Sequence, residues 1–299
     1  MAEVRVRVPA KVNLALNVGA TGQDGYHALG TVFQAVSLFD ELTARPLSTG
    51  EIRLSFRGEG AAGLPTDGTN LVTRAARLLA KTCGAEGAGA DIRIHKRIPI
   101  AGGMAGGSAD AAATLVACNQ LWETGLSLQQ LHGLAAQLGA DVPFLLHGGT
   151  ALGAGRGEKL TPVAVGGTFR WVLALSHHGL STPAVFREFD RISSPQPTGI
   201  GPDLLAALAD GDVPRLGKLL SNDLQQAAIS LQPELAEVLR MGRDAGAAGA
   251  IVSGSGPTIA FLAGEAGTSD AIAERLLLSS RVRAVRRVCG PVPGAQVVG

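Results

Sequence analysis

The 299-residue sequence predicts an α+β fold in two domains, with a boundary between 165 and 166. Three observations lead there. Segments that alternate like strands mix with segments of helical spacing, without the regular βαβ order of a doubly wound sheet. A glycine-rich stretch, Pro99 to Ala112, stands between an alternating segment and an alanine-rich one in the first half. A new apolar run, Trp171-Val172-Leu173-Ala174-Leu175, opens the second half as a buried strand.

Each element has its own signal. Val4 to Val8 and Asn13 to Val18 read as strands, as do Glu51 to Phe56 and Asp91 to His95. Asn70 to Ala80 carries apolar residues at helical spacing and closes at Gly84. Ala109 to Trp122 and Leu128 to Leu138 are two further helices separated by Gly125. Thr21 to Gly30 and Gly148 to Gly157 read as turn regions. In the second half, helices are expected at Pro183 to Phe189, Pro202 to Ala209, Val213 to Leu220, Pro233 to Ala245 and Ser269 to Leu278. Strands are expected at Ile251-Val252, Thr258 to Leu262 and Val282 to Val288, and a loop at Ser193 to Gly201.

Bulk properties narrow the function. Charge is nearly balanced, with 26 basic against 25 acidic residues, which gives no support for a nucleic-acid or membrane-surface role. Mean hydropathy is +0.23, but no apolar run approaches the ~18 residues of a membrane span. The N-terminus from Met1 to Val8 has no signal-like apolar region. Cys83, Cys118 and Cys289 are widely separated and show no C-x-x-C spacing, and the histidines show no metal-ligand spacing. A reduced, cytoplasmic enzyme without a structural metal is the expectation.

The chemistry starts at Pro99-Ile100-Ala101-Gly102-Gly103-Met104-Ala105-Gly106-Gly107-Ser108-Ala109. Glycines that open a helix let backbone N–H groups approach an anion, and the helix N-terminus adds a favourable dipole. Ser108 adds a hydroxyl within reach of a phosphate. The loop fails both familiar templates: no Lys follows the glycines as in G-x-x-x-x-G-K-[ST], and Ala101 stands where G-x-G-x-x-G needs its first Gly. It is a phosphate loop of another type, or a plain tight turn.

Four further groups carry both a functional and a plain reading. Lys11 and Asn13, two apart in a strand, share a face and are either a polar pair in a site or a solvent-facing pair. Tyr26, the one tyrosine, and His27 can stack on a planar ring and bond its edge, or simply pin a loop. Asp141, in Gly139-Ala140-Asp141-Val142-Pro143-Phe144, is an acid for a hydroxyl or a helix cap. Gly254-Ser255-Gly256-Pro257-Thr258 is a third glycine turn of low specificity.

The order of these pieces is more specific than any one of them. K-x-N near the start, G-Y-H after it, P-x-x-G-G-x-x-G-G-S-A-D-A-A, G-A-D-V-P-F and S-G-S-G-P-T together resemble the GHMP small-molecule kinases, across essentially the whole chain. The resemblance implies an ATP-dependent kinase. Its N-terminal ATP-binding and catalytic domain (1–165) would resemble ribosomal protein S5, and a ferredoxin-like domain (166–299) would close the substrate cleft. The acceptor implied is a hydroxyl of a cytidyl-diphosphate sugar alcohol used in isoprenoid precursor synthesis. Lys11 and Asp141 would be catalytic. Pro99 to Ala109, Asn70 and Lys96 would border ATP, with Mg²⁺ riding on its phosphates. Asn13 would orient the acceptor, Tyr26 and His27 would read the cytosine, and Arg156, Thr182 and Phe186 would complete the acceptor site, Phe186 as a second aromatic over the base. Ala101 and Ala105 depart from more glycine-rich loops, but both are small. The enzyme would act as a monomer or homodimer.

The alternatives are another kinase of that superfamily, acting on homoserine or mevalonate, and a nucleotide-binding regulatory module. Gly25-Tyr26-His27 disfavours the first, because those acceptors offer no base to stack on. Lys11 with Asp141 disfavours the second. A dehydrogenase is disfavoured by the failed dinucleotide fingerprint.

Overall fold

A computed structural model describes residues 3–23 and 25–298. Met1 and Ala2, at the start of the stretch read for a signal region, lie outside the described residues, as do Asp24 and Gly299. The two stretches expected as strands near the N-terminus are one long strand, β1 (Val4–Thr21), broken only by register shifts at Pro9/Ala10, Asn13/Ala15 and Val18/Thr21. Its partner β2 (His27–Leu47) is the largest element missed in the sequence. It is buried without a break from Gly30 to Val36, and where burial does alternate the buried set includes Asp40 while Phe39 lies on the other face, so the hydrophobic pattern hides the strand.

β3 (Ile52–Gly58) and β4 (Gly89–Lys96) fall where alternation places them, flanking α1 (Leu71–Thr82). Next come α2 (Gly106–Leu121), α3 (Leu128–Leu138) and the short α4 (Val142–His147). The glycine-rich stretch expected as a turn after it contains a strand, β5 (Thr150–Ala154), which forms a hairpin with β6 (Lys159–Pro162). The first sheet runs β3-β4-β2-β1, with β5 pairing the early part of β2 and β4 its later part.

The second half holds β7 (Phe169–Leu175), α5 (Thr182–Ile192), α6 (Pro202–Asp210), α7 (Val213–Leu219), β8 (Ser221–Asn222), α8 (Gln225–Leu231), α9 (Glu234–Asp244), β9 (Gly249–Val252), β10 (Ile259–Ala263), α10 (Ala266–Leu277), β11 (Ala284–Gly290) and β12 (Gln296–Val298). Four of these strands form a second, antiparallel sheet in the order β11-β7-β10-β9. β8 and β12 instead join β1 in the first sheet, so the chain crosses back after the predicted boundary.

α2 is the keystone of the first half. It is rich in alanine and buried on most of its faces, which is how a helix reads when it is packed all round. One apolar core joins it to β1, β2 and the inner face of the second sheet through Trp171, Leu173, Ile251 and Leu262. That core carries the N-terminus of α2, and the loop before it, to the junction of the two sheets.

Candidate active site

The loop between β4 and α2 has a conformation that its composition does not show. Every second residue has positive φ: Ala101 at 50°, Gly103 at 73° and Ala105 at 61°. Alternating hand along a backbone turns successive N–H groups into one concavity, an anion nest. The two alanines hold a conformation that costs an L-residue about 1–2 kcal/mol each, so the surroundings must impose it.

Those surroundings are donors to the loop's carbonyls. Leu180 N–H donates to the Ala101 carbonyl (3.2 Å) and Thr258 N–H to that of Gly102 (3.3 Å). Ser253 Oγ and Lys11 Nζ both donate to the Gly103 carbonyl, at 3.0 and 2.8 Å, and Lys11 N–H reaches the Met104 carbonyl at 3.4 Å. A Cβ on Gly103 would collide with the Ser253 carbonyl. Ser253 and Thr258, which flank the low-specificity turn Gly254-Ser255-Gly256-Pro257, are therefore part of the clamp on the glycine loop.

Lys11 and Asn13 share a face of β1, as their spacing requires, but the face is buried; they are 4% and 2% exposed. Lys11 Nζ donates to Asn13 Oδ1 at 2.6 Å, and Asn13 Nδ2 donates to Thr31 Oγ1 at 2.9 Å. Two of the ammonium's three donors are thus oriented by the protein. Burial lowers the Lys11 pKa, and the attraction of Asp141 opposes that shift. Asp141 stands at the N-terminus of α4 without capping it through its side chain. The capping reading therefore fails, and the carboxylate faces the cleft with Lys11 in electrostatic range.

A single cleft of about 1180 Å³ takes in Lys11, Asn13, Tyr26, His27, Asn70, Lys96, Asp141, Arg156, Thr182 and Phe186, with Pro99 to Gly103 and Ala105 to Ser108 from the loop. Met104 and Ala109 are not in its wall; both side chains belong to the core. Asn70 borders the cleft, but its side chain is committed to α1: Oδ1 accepts from Val72 N–H (2.9 Å) and Nδ2 donates to the Pro65 carbonyl (2.7 Å). Lys96 borders it too, though its ammonium is held by Asp40, by Asp110 (2.7 Å) and by the Gly106 carbonyl (3.2 Å).

Tyr26 is 59% exposed, and the Arg156 guanidinium lies 4.8 Å from its ring centroid. His27 is buried. Its Nδ1 bonds the Gly19 carbonyl (2.8 Å), and Nε2 lies 3.3 Å from Thr21 Oγ1 and 3.1 Å from Asp190 Oδ1. Phe186 stacks on His27, with centroids 5.3 Å apart, and does not stand as a separate plate; Phe189 meets the same ring edge-on. Thr182 Oγ1 bonds Ser255 Oγ at 2.9 Å, which ties α5 to the third glycine turn. Thr31, Ser253 and Asp40 are supporting residues that sequence reasoning missed. A lone polar residue before an apolar run was the available signal for Thr31; Asp40, next to Glu41, had none.

A buried Lys beside a cleft-facing Asp, with an anion nest next to both, is the equipment of phosphoryl transfer. Comparison with known proteins agrees. Residues 70–149 match the family model for the GHMP kinases N-terminal domain, and residues 204–279 that for the GHMP kinases C-terminal region. The chain belongs to the GHMP kinases. This GHMP kinase is 56% identical, over 99% of its length and 92% of the relative's, to the 4-diphosphocytidyl-2-C-methyl-D-erythritol kinase of Mycolicibacterium gilvum. Its fold matches a crystal structure of 4-(cytidine 5'-diphospho)-2C-methyl-D-erythritol kinase with a TM-score of 0.75 at 35% identity, covering 95% of this chain and 98% of that one. A homoserine kinase from Cytophaga hutchinsonii superposes as well, with a TM-score of 0.77 but 22% identity, over 100% and 98% of the two chains. The shared fold therefore does not choose the acceptor. Family membership sets aside the regulatory-module and dehydrogenase alternatives.

Proposed function

We propose that this kinase transfers the γ-phosphoryl group of ATP to the 2-hydroxyl of 4-diphosphocytidyl-2-C-methyl-D-erythritol, in non-mevalonate isoprenoid precursor synthesis. The observation that carries the reading is that one cleft is lined by the Lys11–Asp141 pair and the glycine loop and also by Tyr26 and His27, although His27 pairs with Thr21, ten residues beyond Lys11 along β1. An acceptor with a hydroxyl at one end and a base at the other matches that lining, and homoserine or mevalonate does not. The full-length likeness to kinases of that name supports the same acceptor.

In this mechanism the nest of Ala101, Gly103 and Ala105 and the N-terminus of α2 hold the ATP phosphates by backbone N–H groups. The acceptor hydroxyl sits between Lys11 and Asp141. Its oxygen attacks the γ-phosphorus, the bond from that phosphorus to the bridging oxygen breaks, ADP leaves, and the hydroxyl proton passes to Asp141. The Lys11 ammonium stabilises charge developing on the attacking oxygen. Asn13 orients Lys11 and the acceptor, while Tyr26 stacks on the cytosine against a wall formed by His27 and Phe186. Arg156 and Thr182 serve the diphosphate side. Mg²⁺ would arrive as the counterion of ATP and would neutralise charge on its phosphates. No helix among the described residues is long and apolar enough to cross a membrane. We place the enzyme in the cytoplasm, as a monomer or homodimer, with residues 166–299 closing the cleft over residues 1–165.

The direct test offers the purified protein ATP with 4-diphosphocytidyl-2-C-methyl-D-erythritol, homoserine and mevalonate in parallel. Phosphorylation of the first alone is expected. Comparable turnover of either of the others overturns the acceptor assignment.

A further inference from the structure

Beneath the phosphate loop lie three charged side chains that the transfer itself does not use. Asp40 from β2, Lys96 from β4 and Asp110 from α2 have side chains between 1% and 5% exposed. Lys96 Nζ donates to Asp40 Oδ2, to Asp110 Oδ2 at 2.7 Å and to the Gly106 carbonyl at 3.2 Å, so all three of its donors are used. The two carboxyls are not equivalent. Asp40 Oδ1 accepts from the N–H groups of Arg97 (2.6 Å) and Ile98 (2.9 Å), so both Asp40 oxygens have protein donors. Asp110 Oδ1 is buried and has no hydrogen-bond partner.

We propose that Asp110 is a positioning residue for the phosphate loop and works as the neutral, proton-carrying member of this cluster, so that nucleotide affinity falls when it ionises. One ammonium balances one carboxylate. A second buried negative charge would stand unpaired under the N-terminus of α2, where the loop must attract phosphate. The proton belongs on the carboxyl whose oxygen lacks a donor. Burial pushes the Asp110 carboxyl up to about 8, against the pull of Lys96 and with a further push from Asp40. Burial acts to lower Lys96, and the two carboxylates outweigh it, so the ammonium stays charged. Besides this cluster, the charged groups that line the cleft are Arg74 of α1, Lys11 of β1, Asp141 before α4, Arg156, Glu158, and Arg187 and Asp190 of α5. The cluster acts through geometry as well: Lys96 holds the Gly106 carbonyl and Asp40 holds the two N–H groups that lead into the loop.

The proposal rests on the phosphate-loop reading, and its test separates the two. Affinity for a non-hydrolysable ATP analogue with Mg²⁺ is measured across pH by calorimetry for the wild type and Asp110→Asn. The wild type is expected to lose about tenfold in affinity by one pH unit past the transition, and the ratio of the two proteins' constants to change with pH accordingly. Parallel profiles overturn the proposal. A ¹³C titration of the Asp110 carboxyl in the wild-type protein needs no variant to fold. A midpoint that tracks the loss of affinity is expected, and a carboxyl already ionised at neutral pH overturns the proposal. If the wild type binds no analogue at any pH, the phosphate-loop reading fails and this inference with it.

Discussion

Lys11 and Asp141 lie far apart in the chain, and each alone had a plain reading as a surface residue or a cap. Burial of Lys11 and the unused side chain of Asp141 remove those readings. Asp141→Asn is expected to lower kcat by about 10²–10⁴-fold while leaving ATP affinity nearly unchanged, since in the proposed mechanism the group takes a proton and does not hold the nucleotide. Steady-state kinetics beside a binding titration will show it; full turnover in the variant removes Asp141 from the mechanism. Tyr26 lines the same cleft. A stacked base is worth about 1–3 kcal/mol, so Tyr26→Ala is expected to raise KM for the cytidyl substrate about tenfold or more and to leave KM for ATP in place. Equal effects on the two substrates would argue against stacking. His27 is less open than its motif suggests, because both ring nitrogens already have partners within the protein.

Among the elements, the loop before α2 shows how conformation can outweigh composition. Two of its three positive-φ positions are alanines, and the nest persists because donors from β1 and from the second half hold its carbonyls. Gly103 is the position where no side chain fits. Gly103→Ala combines a left-handed backbone worth about 1–2 kcal/mol with a collision at the Ser253 carbonyl. It is expected to cost stability in chemical denaturation and at least about tenfold in nucleotide affinity, because small misplacements of positioning groups are expensive in this chemistry. Wild-type affinity in that variant would contradict the clamp. α2 itself was legible as a helix, but its start was placed at Ala109 and lies at Gly106. Glycines at a helix start carry no propensity signal, and the left-handed Ala105 before the helix has no side-chain cap to mark it.

For the whole molecule, the decisive feature is that the two sheets share a core, with bonds across the junction. Trp171 Nε1 of β7 donates to Gln34 Oε1 of β2 at 2.8 Å, and Gln34 Nε2 donates to Thr150 Oγ1 at 3.1 Å. All three residues are buried. Gln34→Leu leaves the indole N–H unsatisfied and is expected to cost about 1–3 kcal/mol, read as a lower midpoint in denaturant. A change within error would show that the junction does not depend on this bond. The Glu59–Arg283 pair (2.6 Å) also joins the halves, at the surface, where such pairs contribute little.

The sequence by itself determined the α+β class, most helices, the four strands of the second sheet and the family to which the chain belongs. Periodicity, helix-stop glycines and the ordered motifs are local properties that survive without a partner. Tertiary structure alone decided that β1 is continuous, that β2 exists and that β8 and β12 return to the first sheet, because buried strands lose alternation and register depends on distant neighbours. It also decided the handedness of Ala101 and Ala105, the sharing of Gly103 between Lys11 and Ser253, and the Asp40–Lys96–Asp110 cluster. These last are products of burial, and burial is a property that no short stretch of residues carries.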